Sequence, residues 1–74
     1  MKDNTIYIDV DKIPMKNTSI TNTMLILAIY NKELPLTAKL NYIGRTYVIK
    51  QHTTQVEKKT LDNVYIYICE ETNV

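Results

Sequence analysis

The chain has 74 residues, nine Lys/Arg against eight Asp/Glu, a formal charge of +1, 45% apolar side chains and one cysteine. That length holds a single small domain over 1–74 and excludes a catalytic cleft between two lobes. One cysteine excludes an intrachain disulfide, and one histidine beside it makes a poor metal site, so no cofactor is expected.

A domain of this size buries only about 60% of the surface its unfolded chain exposes, so it needs help to be stable. With disulfide and metal set aside, the remaining helper is a second copy or a protein partner. The near-zero charge supplies no global pull toward nucleic acid or an anionic membrane. Its distribution is uneven: residues 32–59 hold Lys32, Lys39, Arg45, Lys50, Lys58 and Lys59 against Glu33 and Glu57, whereas residues 60–74 hold only Asp62, Glu70 and Glu71. The polar start shows no signal peptide, and the longest apolar run, Met24 to Tyr30, is far short of the about 20 residues a spanning helix needs. The expected location is cytoplasmic, with no membrane association. The richness in Ile, Lys, Asn and Tyr follows AT-rich codons and suits a phage, virus or plasmid, or a low-GC bacterium; the expected source is a phage or mobile element.

Ile6, Ile8 and Val10 alternate with Tyr7 and Asp9, which predicts a first strand that Pro14 helps to end. The stretch from Thr18 to Leu34 admits two readings. Ser19 or Thr21 can cap a helix over about 19–33. The short continuous apolar run Met24–Tyr30 reads instead as a strand buried on both faces. In either case a domain this small cannot cover both Leu25, Leu27, Ile29 and Met24, Ile26, Tyr30, so one set requires another surface.

Leu34, Leu36, Ala38, Leu40 and Tyr42 then alternate with Pro35, Thr37, Lys39 and Asn41, the period of a half-buried strand. Gly44 punctuates, and Arg45 to Lys50 completes a hairpin turning around Ile43-Gly44-Arg45. Gln51 to Thr60 either extends that strand or forms a long loop. Leu61-Asp62-Asn63 is a turn before a last strand, Asn63 to Glu70. The fold class is mostly β: a small twisted antiparallel sheet or a five-stranded barrel-like domain. The alternative is an α+β fold with the helix at about 19–33 on a four-stranded antiparallel sheet.

The chemistry-bearing constellations are thin. Asp9 and Asp11 sit two apart at a strand end, where a pair of carboxylates can hold Mg²⁺, but such sites need further carboxylates. His52 and Cys69 are too isolated for a nucleophile pair without an oxyanion hole, and Gly44 alone cannot build a phosphate loop. The chain is therefore read as not an enzyme.

The tyrosines offer more. With Val64, Ile66 and Ile68 taken as the core face of the last strand, Tyr65 and Tyr67 point outward. Tyr47 lies on a neighbouring strand beside Arg45. Such a cluster anchors a protein partner or, with Lys39 and Lys50, stacks single-stranded bases. The acidic end reads as a solvated tail or a dock for a basic surface. The expected function is a non-enzymatic protein-interaction module, an inhibitor or adaptor that binds a host protein or self-associates. Tyr47, Tyr65, Tyr67, Arg45, Leu25, Leu27 and Ile29 are the candidate partner-binding residues. The alternative is a small-barrel single-stranded nucleic-acid binder.

Overall fold

Period-two patterning becomes six strands in the computed structural model, which describes residues 5–72. They are β1 (Tyr7–Asp9), β2 (Met15–Thr21), β3 (Met24–Tyr30), β4 (Lys39–Tyr42), β5 (Arg45–Val56) and β6 (Asn63–Thr72). One turn of 3-10 helix, Val10–Lys12, follows β1. The strands form one curled sheet in the order β1-β4-β5-β6-β3-β2, a half-barrel. Among the described residues there is no α-helix, and none that could cross a membrane.

The β class and the barrel-like curl are as expected, and the helix reading at 19–33 gives way to the β2–β3 hairpin. Asn22, in the two-residue turn between Thr21 and Met24, adopts a φ of 53°, a left-handed conformation that asparagine tolerates. The sheet is mixed and not purely antiparallel, because β1 runs parallel to β4. β2 was not anticipated: it is an edge strand with polar residues on both faces, so it carries no alternation to detect.

The alternation from Leu34 reported burial more faithfully than strand. Only Lys39–Tyr42 pairs, because the Ala38 N–H donates to the Pro35 carbonyl at 3.1 Å and closes a turn. Leu34, Ala38 and Leu40 are nevertheless buried, whereas Leu36, in the turn, is 50% exposed. The β4–β5 hairpin has a two-residue turn, Ile43-Gly44, flanked by the pair Tyr42 and Arg45. Both turn residues have positive φ, 49° and 72°, the geometry whose twist matches the flanking strands. No atom approaches within 4 Å of where a Gly44 side chain would start, so the glycine answers a backbone requirement and not a packing one.

The inner face of the half-barrel holds the core. Leu25, Leu27 and Ile29 of β3 pack with Tyr67 and Cys69 of β6, Tyr47 of β5 and Leu40 of β4. Val10 and Ile13, carried across the open mouth by the segment between β1 and β2, close it from above with Leu34. Each fully buried Leu or Ile contributes about 1.5–3 kcal/mol through removal from water.

A polar latch fastens the end of β3 to the start of β6. The Asn31 N–H donates to the Asn63 carbonyl at 2.7 Å, and the Asn63 N–H donates to Asn31 Oδ1 at 3.0 Å. Asn31 Nδ2 donates to Asp62 Oδ1 at 2.9 Å.

Candidate interaction surface

The expected assignment of sheet faces is reversed. Tyr47 and Tyr67 are the largest fully enclosed side chains, and Tyr65 packs half-buried against the same core. Leu25, Leu27 and Ile29 have no exposed surface. Six of the seven residues named as partner-binding thus belong to the interior face. The seventh, Arg45, is exposed at the β4–β5 hairpin and pairs with Glu71 at 3.6 Å. That pair also places the acidic end inside β6 and not in a loose tail.

The physical reason lies in composition. A single curled sheet must fill its own concavity from one side, which calls for long side chains, and the chain has no Phe or Trp. Its tyrosines are the largest rings available. A usable signal existed: a two-residue turn at Ile43-Gly44 sets Leu40 opposite Tyr47, so Tyr47 shares the face of Leu40, whose neighbours Lys39 and Asn41 point the other way. Reading the turn as three residues hid that register.

The displaced aliphatic residues form the outer face. The register stacks Met24 beside Glu70, Ile26 beside Ile68, Ala28 beside Ile66 and Tyr30 beside Val64 across β3 and β6. Met24 is 43% exposed and Ile26 39%, while Ile66, Ile68 and Ala28 are half-buried, and the described strands all lie in one sheet, so none of them forms a second layer over this face. Polar rows flank this apolar stripe. On β5 they are Gln51, Thr53 and Gln55; on β2 they are Ser19 and Thr21. Here the requirement that one set of the Met24–Tyr30 run find other cover falls on Met24 and Ile26.

One end of the stripe is sealed electrostatically. Lys16, at the β2 bulge, donates to Glu57 Oε2 at 2.9 Å and lies 5.6 Å from the centre of the Tyr30 ring. The Glu57 hydrogen bond raises the Lys16 pKa above its ordinary value. Val64, beneath this group, is buried.

The chemical constellations resolve separately. Asp9 ends β1 and pairs with Lys12 at 3.5 Å, while Asp11 lies in the 3-10 turn. Both line an open groove of about 230 Å³ with Lys12, Asn41, Tyr42 and the Ile43-Gly44 turn. Among the described residues no group of three or more His, Cys, Asp or Glu side chains converges. Cys69 is buried and its thiol is pushed up to about 12 by desolvation, which keeps it protonated and unreactive. His52 meets the Tyr67 ring at 6.5 Å in a tilted arrangement.

The chain matches no family model, no curated protein and no solved structure.

Proposed function

We propose that the chain is a non-enzymatic protein-interaction module of the cytoplasm that docks another protein on the outer face of β3 and β6. The observation that carries this reading is the apolar stripe of Met24, Ile26, Ala28, Ile66 and Ile68, rimmed by Gln, Ser and Thr. An apolar centre inside a neutral polar rim is the anatomy of a protein–protein contact. The occupant that fits is a protein surface offering an apolar strip without strong charge, since the rim presents only Glu70 at one end and the neutralised Lys16–Glu57 pair at the other. The base-stacking alternative relied on rings that now lie inside the half-barrel. The role is that of an inhibitor or adaptor, with affinity from burial of the stripe.

The test compares affinity capture by the wild-type chain, Ile26→Asp and Lys58→Ala. The reading expects a partner held by wild type and Lys58→Ala and lost by Ile26→Asp, with all three folded. Equal recovery by wild type and Ile26→Asp overturns it.

A further inference from the structure

We infer that the open edge of β5, from Lys50 to Val56, pairs antiparallel with the same segment of a second copy of this chain. The contact would be a twofold dimer centred on Thr53. It uses the main-chain edge of β5, which borders the polar rim of the docking face, and it does not require that face to be occupied.

The sheet has three open edges, and they differ in protection. β1 is three residues long, too short to template a partner strand. β2 carries a bulge between Met15 and Asn17, with Lys16 in it, and beyond the bulge runs only from Asn17 to Thr21, a shorter stretch than Lys50 to Val56. β5 is twelve residues long, but β4 covers only Arg45 to Val48. From Gln51 to Val56 it pairs with β6 on one side and, among the described residues, with no strand on the other. This stretch contains no proline, its side chains are exposed, and its only charge is Lys50 at the bulge that starts it.

Backbone direction can be assigned. The Glu57 N–H donates to the Asp62 carbonyl at 2.9 Å and the Glu57 carbonyl accepts from the Leu61 N–H at 2.8 Å, so the Glu57 peptide groups face β6. With period two, Gln55, Thr53 and Gln51 also face β6. His52, Thr54 and Val56 therefore turn their N–H and C=O groups to the open edge. Among the described residues of a single copy these groups have no backbone partner.

A second copy fits this edge for reasons of symmetry. A twofold axis normal to the sheet keeps each face continuous, so opposed residues must share a face. Thr53 is the middle residue of Lys50–Val56, and an axis there uses the whole open stretch. It sets His52 opposite Thr54 of the second copy, where both residues point outward and exchange main-chain hydrogen bonds. It sets Gln51 opposite Gln55 and Thr53 opposite its own equivalent, with no like charges opposed. Pairing stops where β4 begins to cover β5, which defines the register. The product is a sheet that runs through the axis as β2-β3-β6-β5 of each copy, eight strands in all, with β4 and β1 branching from the covered half of each β5.

The test combines light scattering with two variants. Wild type should show twice the mass of one chain. Thr54→Pro removes an outward N–H without touching the β6 ladder; it should be monomeric with an unchanged circular dichroism spectrum. Thr53→Cys should form an intermolecular disulfide under mild oxidation. At the centre of the interface Thr53 and its equivalent form a non-hydrogen-bonded pair with Cα atoms about 4.5 Å apart, within disulfide reach. Buried Cys69 stays out of the reaction. Lys58→Cys serves as the unlinked control. A wild-type monomer at every concentration overturns the proposal. So does a dimer that survives Thr54→Pro while Thr53→Cys stays unlinked, because that dimer is held elsewhere. Should Thr54→Pro unfold, the disulfide alone decides. The side chain of Thr54 lies on the face opposite the apolar stripe, so partner capture through Ile26 is indifferent to Thr54→Pro, which separates failure here from failure of the docking reading.

Discussion

The Leu34 N–H donates to the Tyr67 hydroxyl at 2.7 Å inside the core, which ties the β3–β4 loop to the inner face of β6. The other enclosed tyrosine, Tyr47, has a hydroxyl with no hydrogen-bond partner among the described residues. The same chemical deletion should therefore have opposite consequences. Tyr67→Phe strands a buried amide and should cost about 1–3 kcal/mol in urea unfolding. Tyr47→Phe removes an unpaired polar atom and should be neutral or stabilising. Equal destabilisation of both variants would contradict the assignment of the two hydroxyls.

Adjacent residues of β3 should part company in the same way. Leu27→Asp puts a charge in a fully enclosed site and should unfold the domain, at a cost above about 4 kcal/mol. Ile26→Asp lies on the outer face and should cost no more than about 1 kcal/mol, with the circular dichroism spectrum preserved. Comparable thermal shifts for the pair would refute the face assignment.

Ile43 is a β-branched residue at positive φ, 71% exposed at the tip of the β4–β5 hairpin. A side chain there crowds its own backbone, at a cost of about 1–2 kcal/mol in the left-handed region. Ile43→Asn supplies the preferred first residue of this turn before Gly44 and should raise stability by about 1 kcal/mol. The check is a higher urea midpoint with an unchanged slope.

Stability should fall at both ends of the pH scale, for separate reasons. Hydrogen bonds from Asn31 and Thr60 lower the Asp62 pKa below its ordinary 3.8. Its contribution is complete above that value and is lost as pH falls through the depressed folded pKa. Asn31→Ala should reduce the acid sensitivity along with the stability.

Cys69 behaves oppositely. Burial raises its pKa from an ordinary 9.0 to about 12. The unfolded thiol ionises first, so stability is full below pH 9.0 and declines as pH climbs toward about 12. Burial raises Tyr67 in the same direction. In native buffer a thiol reagent should label Cys69 only at the rate of unfolding; immediate labelling would show that the side chain is open to solvent.

Much of the architecture is legible in the chain. A turn at Gly44 follows from local pattern, though one residue too long, and a strand at Met24–Tyr30 and the extension of the fourth predicted strand past Lys50 are each one of two readings that local pattern leaves open. β2 left no trace because an edge strand of Lys, Asn, Thr and Ser has no buried face to advertise. Which face of β6 turned inward was harder still. Val64, Ile66 and Ile68 are more apolar than Tyr65 and Tyr67, and hydrophobicity alone favours them for the core. Volume decided otherwise, and volume depends on the curvature of the sheet, a property no single strand encodes. The candidate surface moved with that decision, from the tyrosines to Met24 and Ile26.

The curvature itself follows from a short tether. β1 and β2 occupy opposite edges of the sheet, yet only residues 10–14 join them. Laid flat, six strands would hold their outermost members roughly 24 Å apart. The run from Asp9 to Met15 reaches about 21 Å at full stretch, and its helical turn shortens it further. The leash is shorter than the flat sheet is wide, so the sheet cannot lie open while β1 stays on β4 and β2 on β3. Bending is thus imposed by arc length before any side chain packs. Loop insertions elsewhere should be absorbed, but added residues between Val10 and Pro14 would slacken the bow and let the interior drain.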